Sequence, residues 1–303
     1  MRRQAGTLTK DNGSAAIITA IAFTVLMGFV ALATDIGALY LEHTKLARAV
    51  DAAALAGAQE LPDTAEARAM ALDYAARNNL PSGNLNISFS ADSRDITVAC
   101  SKEVNLFFAR ALGINTSTVN GRAVARIYPV SRTSGLLPIG IDESLLPLQA
   151  GHQYIIKVGS PATGWTGIIA YPGQSGSDDY RESALNGYDG VVAIGDVQEK
   201  ETGNVTGPTI QGIQTRIDSA PGETWDNYSP DSRRIALVPI YRVQGSLPTD
   251  GVEITGFVSV FVEKVLGHGN DNEVYVKYVH HTVSNEGDDS ITGSYLNTVR
   301  LVE

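Results

Sequence analysis

An uncharged run from Ser14 to Thr34, between Asp11 and Asp35, most strongly constrains what this chain can fold into. At a rise of about 1.5 Å per residue, a helix over this run covers roughly the 30 Å hydrocarbon layer of a bilayer. A buried helix of a soluble protein is the alternative, but the length of the run without a charge favours a membrane span. The sequence therefore predicts a transmembrane helix over residues 14–34.

The charges that flank this run predict its orientation. Basic residues precede it and acidic residues are the first charges after it: Arg2, Arg3 and Lys10 against Asp35 and Glu42. Because cytoplasmic segments keep the positive charge, we expect residues 1–13 in the cytoplasm and residues 35–303 outside it, as in a single-pass protein of the cell membrane. A cleaved signal peptide also begins with basic residues, but its apolar region is shorter, about 7–15 residues, so we expect the helix to be retained.

Helix-forming residues continue past the span, since no proline follows until Pro62. The sequence predicts one helix of about 45 residues that leaves the membrane. Small residues recur in it every four positions, namely Ala49, Ala53 and Gly57, and also Ala52 and Ala56. This spacing lets a second helix approach closely. The second helix belongs either to the same domain or to another protein, and the pattern does not decide between them.

Residues 35–130 predict a helical stalk with a small α+β unit. A second helix is expected at 63–79, with strands near 84–90, 95–101 and 118–128. Between the last two strands, the segment 104–113 has a helical pattern. We expect Phe107, Phe108 and Leu112 in that segment to pack on the sheet.

Residues 131–303 predict a predominantly β domain. Short segments rich in β-branched and aromatic residues alternate with Gly, Pro, Asp and Asn, at 154–158, 165–171, 190–195, 235–241, 252–265, 273–284 and 297–303. One helix is expected after Pro208, since Ile210, Ile213 and Ile217 follow at helical spacing. The fold class is therefore α+β, with an N-terminal transmembrane helix, an exported helix, a small α+β unit and a β-rich extracytoplasmic domain.

Charge and cysteine content exclude some functions. Residues 1–139 hold 13 Lys and Arg against 11 Asp and Glu, whereas residues 140–303 hold 10 against 22. Such an acidic half repels phosphate backbones, so nucleic-acid binding is not expected. Cys100 is the one cysteine of the sequence, so the chain forms no internal disulfide, and its alternating surroundings predict a small core residue.

The sequence contains no constellation that indicates catalysis or metal binding. We find no H-E-x-x-H, no G-x-S-x-G and no phosphate-binding loop with its lysine. His280 and His281 are adjacent in a strand-like segment and would point to opposite faces. The oxygen-rich segments 270–273 and 286–289 lack the twelve-residue calcium pattern and are typical of turns. We therefore predict no catalytic, cofactor-binding or metal-binding residue, no cofactor and no small-molecule substrate.

A motif around the first helix resembles a known family. Gly13 precedes the apolar run, Asp35-Ile36-Gly37 and Tyr40 follow it, and an alanine-rich motif, DAAALAGA, occupies 51–58. In this order they resemble the N-terminal domain of TadE/TadG-like proteins of the Flp (tight-adherence) pilus. The resemblance implies a bacterial, non-enzymatic role in pilus assembly or envelope anchoring, with other pilus-assembly or envelope proteins as partners.

Two further comparisons bear on this resemblance. The segments 203–208, 213–217, 234–241 and 254–257 also resemble those that follow the motif in TadG-related proteins. Type IV prepilin-like substrates are cut after a glycine and carry a glutamate five residues on, whereas Ile18 stands at that place after Gly13. We therefore expect no prepilin-type processing, as in an anchored protein rather than a pseudopilin.

Two other functions compete with pilus assembly. A membrane-tethered binding module for a carbohydrate or peptide would use aromatic residues as stacking surfaces, the candidates being Trp165, Tyr171, Trp225 and Tyr228. A cell-envelope hydrolase would need a paired base and nucleophile, and the sequence offers no such pair. An assembly protein is therefore the leading hypothesis and the binding module is the alternative.

Overall fold

The computed structural model describes residues 11–157, 166–174, 176–201, 205–245, 251–268, 271–283, 286–291 and 294–302. The chain divides into two compact units, Met1–Ala125 with Leu301–Glu303 and Arg126–Arg300. Helices dominate the start of the first unit and strands dominate the second, so the predicted α+β class is confirmed.

The first unit begins with the 48-residue helix α1 (Asp11–Ala58). From Ser14 to Thr34 every residue except Ala31 is exposed. From Asp35 onward the helix has two faces, and the side chains of Leu46 and Val50 are buried. The predicted continuous helix through and beyond the apolar run is confirmed, and its character changes at the first charged residue.

A second helix and three strands complete this unit: α2 (Thr64–Arg77), β1 (Leu85–Phe89), β2 (Asp95–Asn105) and β3 (Thr116–Thr133). The carboxylate of Asp63 begins α2 by accepting hydrogen bonds from the backbone N–H groups of Ala65 and Glu66. Strands β1 and β2 are antiparallel, and β2 pairs in turn with β3. Cys100 on β2 is 4% exposed, which confirms it as a core residue, and burial raises the pKa of its thiol.

The small residues of α1 pack inside their own unit. Ala49, Ala53 and Gly57 are buried, and a Cβ built on Gly57 would lie 2.6 Å from Ile96 Cδ1 and 2.8 Å from the carbonyl oxygen of Ala67. The glycine thus lets α1 approach both α2 and β2. The alternative that the sequence left open is decided in favour of packing within the domain.

The prediction for 104–113 is wrong. Strand β2 extends to Asn105, and a single 3-10 turn at Ala109–Leu112 replaces the expected helix. Phe107, Phe108 and Leu112 do not pack on the sheet, since they are 70%, 49% and 82% exposed. The segment is too short to form a stable helix while it connects two paired strands, and its amides find another acceptor, described below.

The second unit contains the last eight residues of β3 and most of the remaining strands. The strands are β4 (Ile141–Asp142), β5 (Gln153–Lys157), β6 (Ile169–Ala170), β7 (Val192–Ala193), β8 (Val197–Lys200), β9 (Ile235–Val243), β10 (Val252–His268), β11 (Asp271–Tyr278), β12 (Glu286–Gly287) and β13 (Asn297–Leu301). The central sheet has the order β4-β9-β10-β11-β5. Residues of β3 pair with β7 and β12.

Two helices cover this sheet, α3 (Ser177–Asn186) and α4 (Thr206–Asp218). The predicted helix at Pro208 is confirmed as α4, and Ile213 lies in the core. Arg216 of α4 is 6% exposed and donates to the carbonyl oxygens of Ala184 (3.1 Å) and Arg233 (2.8 Å), so it joins α4 to α3 and to the segment before β9. Burial lowers the pKa of its guanidinium to about 10.

Some predictions for this unit need correction. The sequence predicted one helix in this half and missed α3, whose polar composition gives little apolar periodicity. The strand expected at 273–284 ends at Tyr278, and those expected at 165–171 and 190–195 shorten to β6 and β7. Trp165 lies outside the described residues.

Substitutions at two glycines of α1 test the close packing. Gly57→Ala should lower the free energy of unfolding by about 1–3 kcal/mol, because the added Cβ meets a backbone oxygen and Ile96. Gly37→Ala is the matched control on the same helix, since nothing lies within 4 Å of its Cβ position, and it should raise stability by up to about 1 kcal/mol. Thermal unfolding of the full chain in detergent measures both, and equal effects would contradict the packing.

Candidate functional site

The end of the apolar run of α1 carries the most specific polar contact of the first unit. Asp35 is the first charged residue after the run, and its carboxylate accepts hydrogen bonds from three consecutive backbone N–H groups. The distances are 2.8 Å from Phe107, 3.1 Å from Phe108 and 2.8 Å from Ala109. A single carboxylate therefore holds the connection between β2 and β3 against α1.

Asp35 stays ionised in this position. Asp35 is only 5% exposed, and this burial by itself raises the pKa of its carboxyl. The three backbone N–H donors outweigh that effect, so the pKa lies below its usual range. Without the carboxylate these three N–H groups would lose the hydrogen bonds that they make to it.

The direction of β2 explains why this connection reaches Asp35. Gly57 near the end of α1 faces Ile96 near the start of β2, and Glu42 pairs with Lys102 farther along the strand. Strand β2 therefore runs back beside α1, opposite to the helix direction. The connection that follows β2 therefore lies beside the end of the apolar run of α1.

A second ionic contact holds β2 to the helix. Glu42 accepts from Lys45 at 2.8 Å and from Lys102 at 2.7 Å, and its side chain is 22% exposed. The hydrogen bonds from Lys102 and Lys45 lower the pKa of Glu42 to about 2. Beside it lies a cleft of about 400 Å³ with further basic side chains, Arg48 and Arg77.

Apolar side chains surround the same point on the outside. Ile36, Tyr40 and Leu41 are 55%, 70% and 59% exposed, although they lie beyond the predicted span. Asp35 faces inward and Tyr40 faces outward, so the two ends of the D-x-G-x-x-Y pattern have different surroundings. Sequence reasoning used this pattern only as a resemblance and missed the role of Asp35, although a lone acidic residue directly after an apolar run was a visible signal.

The residues considered for metal binding do not converge. His280 and His281 follow the end of β11 rather than lying in a strand, and burial lowers the pKa of His281. Within the described ranges, no group of three or more His, Cys, Asp or Glu side chains is placed to hold a metal ion.

The oxygen-rich segments use their side chains within the fold, and the first of them lies in β11 from Asp271 onward rather than in a turn. Asn272 is fully buried, hydrogen-bonds Lys157 and donates to the carbonyl oxygen of Thr206 at 3.0 Å. Asp288 accepts from Ser290 in a turn, and Asp289 forms an ion pair with Arg126 at 3.2 Å. Asn270 lies outside the described residues.

The aromatic residues of the alternative hypothesis differ in their surroundings where the structure describes them. Tyr171 is 2% exposed and donates to the carbonyl oxygen of Leu137, and burial raises the pKa of its hydroxyl. Trp225 packs against Gly151, and Tyr228 packs on the ring of Phe261 at 5.7 Å. Tyr171 therefore belongs to the core of the second unit, whereas Trp225 and Tyr228 are half-buried.

Comparison with known proteins gives one match. Residues 13–60 match the family model described as "Putative Flp pilus-assembly TadE/G-like". Searches of curated proteins and of solved structures each gave no match. The resemblance predicted from the first helix is confirmed over this range, which holds the apolar run, Asp35, Glu42 and the alanine-rich motif. The resemblance of the later segments at 203–257 lies outside it and stays a prediction.

The Glu42–Lys102 pair gives a pH-dependent test. Because the pKa of Glu42 falls from 4.5 to about 2 on folding, its contribution to stability is present above pH 4.5 and is lost as the pH falls toward 2. A double-mutant cycle with Glu42→Gln and Lys102→Met should show a coupling of about 0.5–1 kcal/mol at pH 7.

The exposed pair Asp73–Arg77 on α2 is the control for that cycle. Its coupling should be smaller, about 0.3–0.5 kcal/mol. Thermal unfolding of the full chain in detergent at pH 7, 4.5 and 2.5 measures both cycles. A Glu42–Lys102 coupling that is absent at pH 7, or unchanged at pH 2.5, would contradict the assigned contact.

Proposed function

We propose, from the match of residues 13–60, that this chain is a non-enzymatic, membrane-anchored component of Tad-type (Flp) pilus assembly or of its anchoring in the cell envelope. The observation that carries the proposal is the coincidence of the matched range with α1 up to its end. One helix provides both an exposed apolar surface and the framework of the first unit.

The exposed apolar surface supports the membrane anchor. Within the described part of the chain, α1 is long and apolar enough to cross a bilayer, and its apolar window has no buried residue. A soluble helix hides its apolar stripe against a core, whereas this segment is apolar on all sides and touches none. Lipid is the environment that suits such a surface.

The flanking charges support an orientation with the N-terminus in the cytoplasm and both units outside it. Arg2, Arg3 and Lys10 precede the span, and acidic residues follow it. Other exported pilus-assembly or envelope proteins are then the accessible partners. The buried small residues of α1 are committed to the first unit, so we expect partners to bind other surfaces of the exported portion.

A test of function is a gene deletion in the native host. Loss of the chain should abolish or strongly reduce surface Flp pili, as counted by electron microscopy and by the pilin recovered after shearing. Full-length protein should restore them. A form that is exported by a cleavable signal sequence as residues 35–303, at an equal level, should not restore them, because it lacks the anchor.

Two outcomes of this test are decisive. Normal piliation in the deletion strain would exclude an assembly role. Full restoration by the released form would keep the assembly role but contradict the requirement for a membrane anchor.

Thiol labelling tests the orientation separately. In a Cys100→Ala background, Gln211→Cys places a thiol at an exposed position of α4, and Ala5→Cys places one before the span. A membrane-impermeant maleimide added to intact spheroplasts should label position 211 and should label position 5 only after lysis. The reverse pattern would contradict the proposed orientation.

A further inference from the structure

The connection between β2 and β3, residues 106–115, exposes an unusual number of large apolar side chains; we call it the exit loop. Phe107, Phe108, Leu112 and Ile114 are 70%, 49%, 82% and 53% exposed. Arg110 is its one charged residue. Large apolar side chains scattered singly on a surface are ordinary, but four within eight residues form a patch that indicates an interaction.

Hydrogen bonds and a glycine in the left-handed conformation fix the backbone of the exit loop. Its ends are joined by a hydrogen bond from the N–H of Leu106 to the carbonyl oxygen of Asn115 at 3.0 Å, and Leu106 is buried. Gly113 adopts a φ of 85°, a left-handed conformation that favours glycine, and ends the 3-10 turn. Asp35 binds three of its amides. The apolar side chains are thus presented outward by a braced backbone.

The exit loop lies beside the end of the exposed apolar run of α1. Asp35 binds its backbone and is also the first charge after the exposed apolar run of α1. Ile36 and Tyr40, on the next turn of the helix, are exposed as well. The exposed apolar surface of α1 therefore adjoins the exit loop at Asp35, whose carboxylate is buried against the loop amides.

We propose that the exit loop is a second membrane contact, which inserts Phe107, Phe108, Leu112 and Ile114 into the lipid interface beside α1. The inference rests on the proposed membrane anchorage of α1. Tyr40 suits the headgroup level of a bilayer and Phe108 suits the apolar face of an interfacial segment, while the exposed Arg110 is available to pair with lipid phosphates. Burial of such side chains to a depth of about 5–10 Å is typical of interfacial segments.

A protein partner explains the patch less well than lipid. The apolar side chains adjoin a surface that must itself be in lipid if α1 spans the membrane, so the bilayer covers them without any further component. Two contacts, the span and the exit loop, would fix the tilt of the first unit at the membrane. Asp35 acts as a positioning residue, since it holds the loop and does not contact lipid.

Fluorescence depth measurements on the full chain test this proposal. In a Cys100→Ala background, single cysteines replace Leu112, Val25 and Ala91, and each carries the environment-sensitive fluorophore NBD. Position 25 lies in the span, and position 91 lies in the turn before β2. Because β2 has 11 residues at about 3.3 Å each, position 91 is separated from the exit loop by about 35 Å and is the exposed control.

The protein is placed in nanodiscs of phosphatidylethanolamine and phosphatidylglycerol, with or without lipids that carry a doxyl quencher near the top of the acyl chain. We expect a blue-shifted emission and loss of fluorescence with the quencher at position 112, and neither at position 91. Position 25 reports anchorage independently. An unshifted, unquenched label at 112 with a blue-shifted label at 25 would overturn the loop contact alone, whereas water-exposed labels at both positions would overturn the anchorage.

Asp35→Asn tests the positioning role in the same system. Asparagine keeps one acceptor oxygen but places an NH2 group where the other carboxylate oxygen accepts, so at least one of the three backbone N–H groups loses its partner and the exit loop should be held less firmly. The blue shift and the quenching at position 112 should decrease, while position 25 should not change. Unchanged quenching at 112 in this variant would show that Asp35 does not position the loop.

Discussion

The hydrogen bonds of the Asp35 carboxylate are the contact on which the first unit depends. They join the point where α1 leaves its apolar segment to the connection that follows β2. A buried carboxylate is costly unless several donors surround it, and here three consecutive backbone N–H groups do so. The arrangement requires β2 to run back along α1, and it therefore couples the sheet to the end of the exposed apolar segment of α1.

The same helix meets two different environments with one continuous backbone. Over 14–34 its side chains are apolar on every side and contact no core, whereas over 35–58 small and apolar side chains form one buried face. The buried face leaves almost no space at Gly57, because α1 contacts α2 and β2 there and no side chain would fit. The matched family range ends just beyond this glycine, so it covers both the exposed apolar segment and the segment that packs in the first unit.

The second unit is stabilised by the pairing of long strands and by buried arginine side chains. Its core is built on long antiparallel strands, of which β10 pairs with both β9 and β11. Two buried arginines also connect neighbouring segments by donating hydrogen bonds to backbone carbonyl oxygens. Arg216 donates to those of Ala184 and Arg233. Arg234 donates to those of Glu223, Val262 and Glu263. These guanidinium groups already make hydrogen bonds that stabilise the fold. This explains why the polar residues of the second unit did not indicate a functional site.

The sequence by itself determined the local properties of this protein. It predicted the span, the continuous helix, α2, α4, the strands β9 and β10 and the family resemblance, because each follows from the composition or periodicity of neighbouring residues. Only the tertiary structure decided that the small residues of α1 face α2 and β2, that Asp35 binds amides 72 or more positions away, and that Phe107 and Leu112 face outward. Those facts depend on which strand runs beside which helix, and a contact between distant segments leaves no periodic trace in either one.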